Sequence, residues 1–153
     1  VGAGITGREL YKKLEYTDFD TYIIEKQAGR SMQQELGEHF IFADASHPLV
    51  LSKLNLEKTR WVLITISEAL IARSIADQVA KIDPQVKVLA LSDKEGDRDF
   101  FISRSGQLDP NVSALIETRK EIADSIFECV EQDNQEQRKS SRNSKKKIKK
   151  IPE

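Results

Sequence analysis

Hydrophobic positions along the chain change period several times, and each change marks an element. Short runs rich in β-branched and aromatic residues at 21–25 and 40–43 read as strands, with a brief helix over 31–36 between them. Trp61-Val62-Leu63-Ile64-Thr65 is almost continuously apolar, the pattern of a strand covered on both faces in a parallel sheet. Residues 86–91 and 112–117 supply two more strands. Between the strands the period lengthens. Leu10, Tyr11 and Leu14 are spaced for a helix over about 4–15, and Leu70, Ile71, Ile75, Val79 and Ile82 for a long one that Ser67 would cap and Pro84 would end. Ser46 before Pro48 predicts an N-cap with proline in the first turn of a helix over 48–54. Phe100-Phe101-Ile102 fits either a strand or the buried side of a helix; the helix, over 95–105 and ended by Gly106, is the preferred reading. Thr118 would cap a last helix reaching about residue 132.

Strands alternating with helices of these lengths predict an α/β protein with a Rossmann-like, doubly wound parallel sheet in the order 3-2-1-4-5-6. One strand is short. Val1 stands alone where a whole first strand belongs, and Met32 is the only methionine, so the first strand is expected to be truncated and the sequence to continue upstream.

At 153 residues the chain suits one domain, and 39% hydrophobic with 32% charged residues suits a solvated surface around a self-sufficient core. No apolar run approaches the ~20 residues of a membrane span. Cys129 is the only cysteine, which precludes an internal disulfide and fits a reducing cytoplasm. The net charge of −1 conceals an asymmetry: residues 1–137 hold 16 Lys and Arg against 24 Asp and Glu, whereas residues 138–153 hold 8 against 1. From residue 132 onward apolar residues nearly vanish, too few to offset the entropy of ordering. The expected organisation is an acidic nucleotide-binding body over 1–131 and a disordered basic tail over 132–153.

The candidate chemistry lies at the start. Val1-Gly2-Ala3-Gly4-Ile5-Thr6-Gly7 is a G-x-G-x-x-G fingerprint, in which Gly2 permits a tight strand-to-helix turn, Gly4 lets backbone approach a pyrophosphate, and Gly7 lets helix pack closely on sheet. Phosphate would then rest on a helix N-terminus. Tyr22-Ile23-Ile24-Glu25 follows at the spacing expected of the acid that accepts hydrogen bonds from an adenosine ribose. A carboxylate there suits a free hydroxyl and repels a 2′-phosphate, which favours NAD(H) over NADP(H); Lys26 beside it partly offsets that charge. Asp44 either caps the next helix or accepts a hydrogen bond from the adenine amine. Thr65, Ser67 and Glu68, after the fourth strand, either begin a helix or meet the second half of a dinucleotide. These positions share the carboxyl edge of the sheet, where ligands of doubly wound folds bind.

Other constellations lead nowhere. Tyr22 and Lys26 match the Tyr-x-x-x-Lys spacing of short-chain dehydrogenases, but that pair must project from a helix and this segment reads as a strand. His39, His47 and Cys129 lack metal-ligand spacing, and no nucleophile stands with a base. Neither an enzyme nor a metal site is expected. Lys145-Lys146-Lys147-Ile148-Lys149-Lys150 carries no aromatic residues to stack on bases, so nucleic acid is not an expected partner.

The order of these pieces resembles the nucleotide-binding regulatory domains of potassium channels and transporters, the RCK, KTN or TrkA-N family. The likeness covers about residues 1–130 and rests on the fingerprint, on Tyr22-Ile23-Ile24-Glu25 and on Phe42-Ala43-Asp44-Ala45-Ser46-His47-Pro48, similar to the family's Gly-Asp-Ala-Thr segment. It implies a regulatory domain at the cytoplasmic face of the membrane that binds NAD(H), or ATP, ADP or AMP. Such a domain changes the geometry of a homodimer or larger ring coupled to a cation channel or transporter. Gly2, Ala3, Gly4, Ile5 and Thr6 would hold phosphates, Glu25 the ribose, and Asp44 and Ala45 the adenine, while Thr65 and Ser67 would line the remaining end. Ala43 and Ser67-Glu68-Ala69 depart from the usual family residues, and the basic tail replaces a companion domain, as in relatives of the cation-proton antiporter type. Beside such a pore the tail could rest on anionic lipid. An NAD-dependent oxidoreductase fragment without its catalytic domain is the alternative.

Overall fold

The computed structural model describes residues 1–27, 29–118 and 121. The chain divides into two compact units, Val1–Glu117 and Thr118–Glu153, and the sheet with its helices belongs to the first. The expected last helix, the basic tail and the boundary near residue 131 lie outside the described residues.

Two parallel ladders build the sheet. Strand β1 (Ile23–Glu25) pairs with β2 (Phe40–Phe42), and β3 (Trp61–Ile64) pairs with β4 (Lys87–Ser92), which pairs with β5 (Ala114–Glu117). Val1 and Gly2 join them. The Val1 amino group donates to the Leu63 carbonyl at 2.6 Å and the Thr65 amide donates to the Val1 carbonyl at 2.8 Å, while the Gly2 amide donates to the Ile24 carbonyl at 2.9 Å. Val1 and Gly2 thus occupy the position of strand 1 between β1 and β3, and the spatial order is the predicted 3-2-1-4-5-6.

Neighbouring side chains of a strand point to opposite faces, and at β1 both faces are covered. Ile23 packs with Ala3, Tyr11 and Leu36, from the fingerprint loop, helix α1 (Ile5–Leu14) and helix α2 (Arg30–Leu36). Ile24, Val62, Ile64, Val88 and Ala90 pack on the other face with Leu51 of α3 (Pro48–Ser52) and with Ala72, Ile75, Ala76 and Val79 of α4 (Ala69–Ile82). Each fully buried aliphatic side chain contributes about 1.5–3 kcal/mol.

Four local expectations need correction. The buried face of α4 is Ala69, Ala72, Ile75, Ala76 and Val79, whereas Leu70 and Ile82 are exposed: alanines share the inward face with Ile75 and Val79, so burial does not follow side-chain size. Helix α4 begins after Glu68, which makes no side-chain cap, and Ser67 lies outside it. The cap of α3 is His47, whose Nδ1 accepts the Leu49 amide at 3.3 Å; Ser46 instead closes a turn on Asp44. Finally, 95–105 is not a helix. A 3-10 turn at Asp97–Phe100 leads to Phe101, fully buried, and the chain then doubles back through an antiparallel bridge between Ile102 and Leu108. Only Phe101 anchors the segment in the core. Arg73 of α4 fixes the rest, donating to the Phe100 carbonyl at 3.0 Å and pairing with Asp77 at 2.9 Å and Asp109 at 2.8 Å.

Candidate nucleotide site

The fingerprint turn is built by close approach. Gly2 has φ +100°, a conformation that side chains disfavour, and a methyl group there would meet Ile66 Cγ2 at 2.9 Å. A methyl group on Gly7 would sit 2.0 Å from the Gly2 carbonyl oxygen. Around Gly4 there is open space. Gly4 is the N-cap of α1 without a side-chain cap, so the first amides of the helix, Ile5 to Gly7, point outward with no intrahelical acceptor. Ile5 and Thr6 are exposed on that turn.

Glu25 ties the turn to the sheet. Its Oε2 accepts the Ala3 amide at 2.9 Å and its Oε1 accepts the Gln27 amide at 2.7 Å; each carboxylate oxygen retains a lone pair for another donor. The amides of Gly2 and Ala3 are therefore spent inside the protein, whereas those of Gly4, Ile5 and Thr6 are free at the start of α1, and these three residues are not among those that line the cleft shared by Gly2 and Glu25. Beyond β2, Asp44 Oδ1 accepts both the amide and the hydroxyl of Ser46, at 2.9 and 2.6 Å. Led by the Ser46 hydroxyl, these bonds hold the Asp44 carboxyl below its ordinary pKa.

Gly2, Glu25, Lys26, Asp44 and Ala45 come together on one open cleft. Ile24, Ile66, Ile71 and Ile75 give it apolar walls, and Glu68, at the start of α4, also lines it. A few polar groups set among apolar walls are the usual lining of a small-molecule site. Ile66, Ile71 and Ile75 were not among the predicted site residues. Ile66 lies just past a strand end, and the other two fall on the helical stripe recognised only as core.

Thr65 and Ser67 stand apart from this cleft. The Thr65 hydroxyl faces the carbonyls of Val1 and Gly2, at 3.0 and 3.1 Å, which makes it a brace for the fingerprint loop. Ser67 is exposed and its hydroxyl reaches only Glu68, at 3.5 Å. Among the described residues no group of His, Cys, Asp and Glu could hold a metal ion, and no helix is long and apolar enough to cross a membrane.

Comparison with solved structures finds the same fold in proteins of low identity. The TrkA-N domain of the inner membrane protein ybaL from Escherichia coli superposes with a TM-score of 0.71 at 21% identity, over 84% of this chain and 91% of that one. The NAD(P)-binding domain of an exopolyphosphatase-related protein from Archaeoglobus fulgidus gives 0.70 at 14% identity, over 86% and 94%. No curated protein sequence matches the chain. The TrkA-N domain family matches residues 1–107, a span that holds the glycine turn, Glu25, Asp44 and the whole cleft, and the chain accordingly belongs to the TrkA-N domain family.

Proposed function

We propose that this domain binds NAD(H) in the cleft and passes its occupancy to a membrane cation channel or transporter as a regulatory rather than catalytic part. One observation carries the reading: Glu25 is fastened to the fingerprint loop through the Ala3 amide while lining the cleft. A ribose at Glu25 would place its phosphates toward the free amides of Gly4, Ile5 and Thr6 at the start of α1, and its adenine between the isoleucines with Asp44 and Ala45 at the edge. Lys26 balances part of the charge. Thr65 then acts through the loop, and Ser67 stands toward the second half of a dinucleotide. The negative charge of Glu25 favours NAD(H) over NADP(H); ADP, AMP or ATP would use the same adenosine half. The proposed setting is the cytoplasmic membrane face, in a homodimer or larger ring, with the basic residues of 138–153 near anionic lipid; what supports it is the fold shared with a domain of an inner membrane protein.

Calorimetry with NAD, NADH, ATP, ADP and AMP tests the site; silence from all five rejects it. Regulation is tested by reconstituting the full-length protein in vesicles and following cation flux against nucleotide. Hydride transfer to a carbonyl substrate, abolished by a substitution in this chain, would favour the oxidoreductase reading instead.

A further inference from the structure

Gln78 lies on α4 outside the cleft wall, yet it is bonded to the loop that forms the cleft's far edge. Its Nε2 donates to the Ser46 carbonyl at 3.0 Å and to the Ser74 hydroxyl at 3.3 Å. Its Oε1 is buried with no donor. The reverse orientation of the carboxamide would set that oxygen against the Ser46 carbonyl oxygen, so the amine end must face Ser46. Packing alone does not explain the residue, because an apolar side chain of the same length would fill the space without burying an unpaired oxygen.

Ser46 in turn fixes Asp44. Both Ser46 donors go to Asp44 Oδ1, and the His47 amide donates to the Asp44 carbonyl at 3.0 Å. With Oδ1 engaged twice, Oδ2 is the oxygen that can meet a ligand. We propose that Gln78 is a positioning residue for base recognition. It touches no ligand; through Ser46 it aims the Asp44 carboxylate at the exocyclic amine of a 6-aminopurine, and so selects adenine over a 6-oxopurine. This rests on the nucleotide reading of the cleft.

The experiment is calorimetry with two probes, AMP and IMP, which differ at the 6-position. The unsubstituted chain is expected to prefer AMP by about tenfold or more, the discrimination that one hydrogen bond to a charged group supplies. In Gln78→Met, which cannot donate, the preference falls to within about threefold. Gln78→Leu also cannot donate to Ser46, so it gives the same result and serves if the Met variant fails to fold. Ser74→Ala removes only the other acceptor and keeps the preference. A merely structural role would weaken AMP and IMP together and leave their ratio intact, and that outcome overturns the proposal. So does an unsubstituted chain without preference. A chain that binds neither probe rejects the nucleotide reading and this proposal with it, whereas selective binding untouched by both Gln78 variants rejects the positioning role alone.

Discussion

Glu25 holds the fingerprint loop and lines the cleft with one carboxylate, so its removal should act on both. Glu25→Ala is expected to weaken NAD(H) binding by ~1.5–3 kcal/mol, the usual worth of a hydrogen bond to a charged group, and calorimetry reads it as a ten- to hundredfold rise in Kd. Equal affinity in the variant would place the ribose elsewhere. Gly7 makes a purely steric prediction. A methyl group 2.0 Å from the Gly2 carbonyl oxygen cannot be absorbed by a side-chain rotation, since both partners are backbone. Gly7→Ala should therefore cost about 3 kcal/mol or more in urea unfolding, while Gly4→Ala, with open space around it, should cost only the ~1 kcal/mol or less that alanine loses to glycine at an N-cap. Comparable losses in the two variants would contradict the geometry. Sequence spacing assigned these glycines their separate tasks, because a fingerprint encodes backbone approach directly. It could not show that the Ala3 amide is already taken by Glu25, since that contact joins residues 22 apart.

At the scale of elements, the two ladders are joined in a seam through the backbone of Val1 and Gly2. Val1 carries it with its terminal amine, and burial lowers that group's pKa from 8.0 to about 6 against the opposing pull of Glu25. The folded chain binds the proton less tightly than the unfolded chain. Stability of a polypeptide beginning at Val1 should therefore be greatest above pH 8 and fall as pH drops toward 6, by up to about 3 kcal/mol. Urea midpoints across that range check it, and adding upstream residues, which replace the amine by an amide, should abolish this dependence. A flat profile in the chain beginning at Val1 would remove the titration from the seam. Helix α4 shows what local pattern leaves undecided. Large apolar residues at helical spacing predicted the helix, but alanines share the side that meets the sheet, and Leu70 is left 67% exposed.

For the whole molecule, regulation requires states that the ligand distinguishes. A nucleotide shifts an equilibrium only through its differential affinity for the two states, commonly ~1–3 kcal/mol of coupling. Self-association is the expected medium. Sedimentation over a range of concentrations should show dimers or larger species, and their proportion should respond to NADH against NAD. A strict monomer at high concentration would remove self-association without touching the binding site. Ile5 and Leu70, exposed on the first turns of α1 and α4, are surfaces that such contacts could bury. The hydrophobic positions 122, 126 and 130, where sequence periodicity also invites contact, lie outside the described residues.

By itself the sequence determined the α/β alternation, the strand order, the glycine turn and the carboxylates at the sheet edge, because each rests on local periodicity or a fixed spacing of backbone needs. Tertiary structure decided what long-range contact controls. It turned 95–105 from a helix into a hairpin held by Phe101 and Arg73, took Thr65 out of the cleft as a brace on Val1 and Gly2, and made Ile66, Ile71 and Ile75 its walls. It also joined Gln78 to Ser46 across 32 positions. No local pattern carries such pairings, because a side chain's hydrogen-bond partner is chosen only when the sheet brings distant loops to one edge.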